Sequence, residues 1–118
     1  MTDSTLQTLL DDYISAWNRS DVDTLINCCA TDVVYEDVAL GKVLDLAGLK
    51  TFATGAMGNY AELRFEKVSA SDDGKTVAWE WLMIRTPHDG EQTVVPGMSM
   101  TEFENGKIVR NSDYWSRE

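Results

Sequence analysis

Moving a proton next to a carbonyl takes a base within hydrogen-bond reach of the carbon acid, and a donor for the oxygen that becomes an enolate. Among the residues of the right types, the candidates are Asp37, Asp113, Tyr13 and Tyr35. Asp37 belongs to the run Val33-Val34-Tyr35-Glu36-Asp37-Val38. Strand alternation puts Val33, Tyr35 and Asp37 on one side of that run and Val34, Glu36 and Val38 on the other. Asp113 falls in a second predicted strand, in phase with Val109, Asn111 and Trp115. A carboxylate in such company is costly unless it is paired, used, or on the sheet's exposed margin. If the two acids face one another in an apolar cavity, desolvation raises the proton affinity of each, and the neighbouring charge raises it further. One can then be protonated while the other is ionised. Tyr13 or Tyr35 would donate to the enolate oxygen, and neither a nucleophile nor a cofactor is needed.

Walls for such a cavity can come from Trp17, Phe52, Trp79, Trp81, Met98, Met100 and Trp115, with Asn111 as a polar group among them. Each residue also has a quieter explanation. Asp37 can end its strand in solvent at a turn. Tyr13 shares a helix stripe with Trp17 and can be a core residue whose hydroxyl finds a carbonyl. Trp79, Trp81 and Trp115 suit a core or a subunit interface, and the methionines Met57, Met83, Met98 and Met100 are gap-fillers.

The elements that must position these groups read clearly in places. Ser4-Thr5-Leu6-Gln7 has the form of a capping box. Leu6, Leu9, Leu10, Tyr13, Ile14 and Trp17 then recur at steps of three and four, predicting a helix to about Asn18. Ser20 or Asp21 caps a second, short helix that buries Val22, Leu25, Ile26 and Cys29. The opening strand follows, then a loop over Lys42–Leu46 and a third helix over Ala47–Met57 that buries Leu49, Phe52, Ala53 and Met57. From Tyr60 the period becomes two. Strands are predicted over Tyr60–Ala70, Thr76–Thr86, Gln92–Glu104 and Lys107–Ser116, with Val77, Trp79, Trp81 and Met83 on one face. Pro96-Gly97 predicts a bend or bulge, and Asn105-Gly106 a tight hairpin turn with positive φ at both residues. Consecutive hairpins with helices to one side give an α+β fold, a cone of N-terminal helices on a strongly curved, mostly antiparallel sheet. A cone of this kind can hold a small molecule.

The 118 residues fit one domain, 1–118, with a real core. Twenty acidic residues against ten basic ones leave a net charge of -10, which repels phosphate backbones and anionic lipids. Nucleic acid and membrane are therefore not expected partners. Met1-Thr2-Asp3-Ser4-Thr5-Leu6 has neither the basic nor the apolar part of a leader, so the expected compartment is the cytoplasm. Cys28 and Cys29 are adjacent and poorly placed to bridge each other, and the lone His88 sits in a polar run. No metal site is expected from that donor set.

The order of elements, with Tyr13, Asp37, Asn105-Gly106-Lys107 and Asp113, resembles the nuclear transport factor 2-like superfamily over essentially the whole chain, a cystatin-like, ketosteroid isomerase-like fold. Asp21-Val22-Asp23-Thr24-Leu25 leading to Val34-Tyr35-Glu36-Asp37 resembles the opening of the ketosteroid isomerases. Glu104-Asn105-Gly106-Lys107-Ile108 leading to Asp113-Tyr114-Trp115 is more similar to the SnoaL-type polyketide cyclases and the limonene epoxide hydrolases. The isomerase resemblance implies that Asp37 shuttles a proton and Tyr13 donates to the enolate; Ser99 or Met100 stands where those enzymes keep a protonated aspartic acid. The epoxide hydrolase resemblance fits Tyr35, Asp37 and Asp113, but Trp79 and Trp81 replace its required arginine and aspartate, which argues against epoxide hydrolysis. The cyclase resemblance asks mainly for one last-strand aspartate as general acid/base, and Asp113 occupies that place. Together these imply a cofactor-free isomerase, cyclase or dehydratase acting on a small apolar carbonyl compound. The alternative is a non-catalytic ligand-binding or dimerisation domain. The superfamily also implies a homodimer through the sheet's outer face, where Glu80, Leu82 and Ile84 would lie. This fold hosts many chemistries, so the reaction must be argued from the site.

Overall fold

The structure, a computed structural model, describes residues 5–116; Ser4 of the predicted capping box lies outside them. The elements run α1 (Thr5–Asn18), α2 (Val22–Asn27), β1 (Cys29–Asp37), β2 (Lys42–Leu44), α3 (Leu46–Asn59), β3 (Tyr60–Asp72), β4 (Thr76–Pro87), β5 (Thr93–Glu104) and β6 (Lys107–Trp115). The expected α+β architecture is present. The six strands form one open sheet in the order β2-β1-β6-β5-β4-β3, antiparallel throughout except for the β1–β6 pair.

The α1 stripe buries Leu10, Tyr13, Ile14 and Trp17, with Leu6 and Leu9 partly covered. The helix ends in a Schellman turn: Ser20 takes a left-handed φ of 54° and donates to Trp17 O, while Asp21 N–H reaches back to Ala16 O. Asp21 is then the cap of α2, accepting Thr24 N–H at 3.1 Å, which settles the choice between Ser20 and Asp21. Asp45 caps α3 in the same way through Gly48 N–H at 2.8 Å. That helix is one turn longer than its glycines suggested, with Leu49 and Ala53 fully buried and Phe52 and Met57 partly so.

Three local expectations are corrected. Lys42–Leu44 is not loop but a short edge strand, paired through Tyr35↔Leu44, Glu36↔Val43 and Asp37↔Lys42 after a turn at Gly41 with φ 66°. Three residues are too few to show a period. Pro96-Gly97 introduces no bulge, because the β4–β5 register runs unbroken through Leu82↔Pro96 and Trp81↔Gly97. Pro96 stands just past the last β5–β6 pair, Gly97↔Trp115, where the strand has lost its neighbour on that side. The bulge lies elsewhere: between Glu102↔Arg110 and Phe103↔Ile108 the last strand carries Val109 as an extra residue. Ile108, only 1% exposed, thereby replaces Val109 on the core face, in phase with Asn111 and Asp113 beyond the bulge.

The Asn105-Gly106 turn has φ values of 52° and 77°, as that dipeptide requires. On β4 the residues Val77, Trp79, Trp81 and Met83 face inward as the alternation predicts. Glu80 and Leu82 have the outward parity, and Glu80 accepts the Ser69 hydroxyl at 2.6 Å. Ile84 shares that parity but is only 3% exposed, between its register partners Arg64 and Val94, so it offers nothing to a partner. Among the described residues no helix is long and apolar enough to cross a membrane.

Candidate active site

The parallel β1–β6 ladder decides the site. It makes Asp37 and Asp113 register partners, so the two acids stand side by side on the inner face. Asp37 is 4% exposed. Its Oδ1 accepts Leu40 N–H at 3.0 Å, and the Trp115 indole N–H lies 3.1 and 3.2 Å from its two oxygens.

Asp113 is held by three donors. Oδ1 accepts the Ser99 hydroxyl at 2.5 Å and the Asn111 amide at 2.7 Å, and Oδ2 accepts the Tyr35 phenol. Two indoles dictate the direction of these bonds. Trp81 Nε1 donates to Ser99 Oγ at 2.8 Å, and Trp79 Nε1 donates to Thr101 Oγ1 at 2.9 Å, which in turn donates to Asn111 Oδ1 at 2.6 Å. An indole N–H can only donate, so each hydroxyl's single proton is left to point away from the ring. Both relays end on Asp113 Oδ1, leaving Oδ2, with one bond from Tyr35, as the oxygen with a lone pair to spare.

Burial raises the Asp113 pKa above the usual carboxylate value; the bonds from Ser99, Tyr35 and Asn111 oppose this, and the charge on Asp37 adds to the rise. Burial likewise holds the Tyr35 and Tyr13 phenols well above their usual value, with Asp113 adding to both, so they remain hydrogen-bond donors. Burial pushes the Cys29 thiol up to about 12, too high for a thiolate nucleophile at neutral pH.

The raised Asp113 pKa has a measurable sign. Folded Asp113 keeps its proton over a pH window in which unfolded Asp113, near 3.8, has lost it. The stability it contributes is full below that lower value and is lost as pH rises through the folded one. Unfolding free energies from urea titration between about pH 3 and 8 are expected to fall for the wild type relative to Asp113→Asn across that window, then run parallel. A flat difference overturns the raised proton affinity.

Asp37 and Asp113 both border a cavity of about 600 Å³. Its walls come from Trp17 on α1, Thr51, Phe52 and Ala56 on α3, Leu63 and Phe65 on β3, Met83 and Arg85 on β4, and Tyr35 and Trp115 beside the acids. The composition is mostly apolar with a few convergent polar groups, the usual make-up of a small-molecule site. Behind Tyr35 lies a second cavity of only about 20 Å³, bordered by Tyr13, Trp17, Trp79, Trp81 and Asp113.

The family model of the SnoaL-like domain matches residues 10–111. The chain belongs to the SnoaL-like domain family. A search of curated proteins returns no match. Among solved structures, a ketosteroid isomerase-like protein from Catenulispora acidiphila, in complex with trimethylamine, superposes with a TM-score of 0.86 at 17% identity, over 92% of this chain and 85% of the other. A suspected polyketide cyclase from Xanthomonas campestris pv. campestris gives 0.78 at 22% identity, over 93% and 89%. A suspected SnoaL-like polyketide cyclase from Shewanella denitrificans gives 0.80 at 17%, over 93% and 89%. At these identities the likeness is one of fold.

Within the SnoaL-like chain the residues singled out from sequence separate into three groups. Asp37, Asp113, Tyr35, Trp17, Phe52 and Trp115 border the large cavity. Tyr13, Trp79 and Trp81 stand behind it around the small one, and Asn111 reaches Asp113 from the buried side. Met98 and Met100 are corrected: they are 40% and 41% exposed on the outer face, because β5 turns Ser99 and Thr101 inward. That parity also decides that Ser99, not Met100, faces the acids. The sequence reading missed Arg85, Tyr60, Phe65 and Thr101. The alternation of Ser99 and Thr101 opposite two tryptophans was the available signal for the relays; nothing local marked Arg85.

Proposed function

We propose that the SnoaL-like chain is a cofactor-free acid/base enzyme acting on a small, largely apolar carbonyl compound. The observation that carries this reading is the Asp113 carboxylate, fixed by two indole-backed relays and Tyr35 beside Asp37, at the wall of an apolar cavity. Asp113 Oδ2 takes a proton from the carbon next to the carbonyl; the C–H pair moves into the C–C bond and the carbonyl pair onto oxygen. Once protonated, Asp113 no longer needs the Tyr35 hydrogen bond, and the phenol turns to the enolate oxygen. Asp113 then returns the proton at another carbon in an isomerisation, or to a leaving hydroxyl in a dehydration. In a cyclisation the enolate carbon attacks a second carbonyl and Asp113 protonates the new alkoxide. Asp37, its charge beside Asp113, keeps that carboxyl's proton affinity high. Tyr13 borders the small cavity behind Tyr35 and not the large one, so it does not meet the substrate.

A binding-only domain is the competing reading, favoured by how fully both carboxylates are hydrogen-bonded. Deuterium exchange into a bound ketone separates the two, as set out in the Discussion.

The homodimer remains part of the proposal. Ala78, Pro96, Met98 and Tyr114 line an open groove on the outer sheet face, with Met100 and Leu82 beside it. A largely apolar groove of this kind, with Ser69, Ser71 and Glu80 as its polar members, suits a second copy of the chain. Light scattering is expected to give the mass of two chains for the wild type and of one for Met98→Glu; a wild-type monomer at high concentration removes the dimer.

A further inference from the structure

We infer that the ligand of this cavity carries an anionic group, a carboxylate or similar oxyanion, and that Arg85 selects it. The inference rests on the cavity being the ligand site and adds the class of ligand. Arg85 borders the cavity from β4. Of the described arginines, Arg19 lies 3.5 Å from Asp21, Arg64 3.0 Å from Glu62, and Arg110 3.5 Å from Glu36. Among the described residues Arg85 is the one arginine with no carboxylate at ion-pair distance. In a chain with twice as many acidic as basic residues, that exception calls for a reason.

Two aromatic rings hold Arg85 instead. Its guanidinium carbon is 5.9 Å from the centre of the Tyr60 ring and 5.8 Å from that of Trp115. Cation–π contacts satisfy the charge partially and use none of the five N–H donors, whose planar fork matches a carboxylate. The rings therefore position the guanidinium while leaving its hydrogen bonds to a ligand.

Trp115 connects the two ends of the site: its N–H points to Asp37 and its ring contacts Arg85. An anionic group at the aspartate end would meet like charge, and at the Arg85 end a donor fork. Repulsion and attraction thus give the ligand one orientation, its anion on Arg85 and its reacting carbonyl toward Asp113. The ligand class that fits is a carbocyclic or aromatic carbonyl compound bearing a carboxylate.

Three probes of one shape test this: 2-naphthoate, 2-naphthamide and 2-naphthyltrimethylammonium, titrated against wild type, Arg85→Gln and Arg85→Lys by calorimetry. The wild type is expected to bind naphthoate at least about tenfold tighter than naphthamide. Arg85→Gln is expected to lose the preference while keeping naphthamide affinity, which also shows that it folds; Arg85→Lys keeps part of it, as a point charge without the fork. Equal affinity for the acid and the amide, tighter ammonium binding, or a preference that survives in Arg85→Gln overturns anion selection and leaves the cavity as a ligand site. Failure of all three probes on the wild type removes the cavity reading itself, and this inference with it.

Discussion

Asp113→Asn is expected to slow α-proton exchange of a bound ketone by about 10²- to 10⁴-fold, the usual share of a positioned acid/base group. The measurement is deuterium incorporation into 2-tetralone in D₂O, followed by proton NMR with and without protein. The substitution suits the test because it changes the chemistry and little else. The asparagine Oδ1 still accepts from Ser99 and Asn111, and its Nδ2 can donate to the Tyr35 oxygen, so both indole relays stay closed. The fold is expected to survive, as near-ultraviolet circular dichroism of the buried tryptophans would record. Asp37→Asn is expected to act more mildly, since Asp37 touches the reaction through the proton affinity of Asp113. Equal exchange rates for wild type and Asp113→Asn, with ketone bound to both, would leave a binding domain.

Gly97→Ala is expected to cost about 1–3 kcal/mol of stability, the range for overpacking a filled site. A Cβ at Gly97 would lie 2.3 Å from Cη2 of Trp81, with Cζ2 and Cζ3 at 2.5 and 2.6 Å. The obstacle is a ring 3% exposed, not a flexible side-chain tip. Trp81 must tilt, and tilting draws its N–H away from Ser99, the residue that fixes Asp113. One methyl group on β5, an inner strand of the sheet, is thus expected both to lower the urea midpoint and to weaken ketone exchange. Gly58→Ala is the control: nothing lies within 4 Å of its added Cβ, and in a helix alanine is favoured by about 1 kcal/mol. A Gly97→Ala variant as stable as Gly58→Ala would contradict the packing of Trp81.

Much of the architecture is readable along the chain because its signals are local. The α1 stripe, the inward row Val77-Trp79-Trp81-Met83 and the Asn105-Gly106 turn each lie within a window of a few residues, where period and turn chemistry act directly. The edge strand Lys42–Leu44 was too short for that window. Met98 and Met100 were misplaced because Ser99 and Thr101 look like surface residues until the tryptophan N–H groups that need them are known.

The amino-acid order by itself determined every element but the short edge strand, the α+β class, and that Tyr35 and Asp37 share one side of their strand with Val33. Tertiary structure alone decided that Asp37 stands beside Asp113, through a parallel pairing of strands whose site residues, Tyr35 and Asp113, are 78 positions apart. It also decided which of the described arginines lacks a described carboxylate partner, and that the Val109 bulge brings Ile108 onto the same face as Asp113. The reason is physical: helix stripes and turns are set by neighbours in the chain, whereas the partner of a buried charge is set by whichever strand the sheet brings next to it.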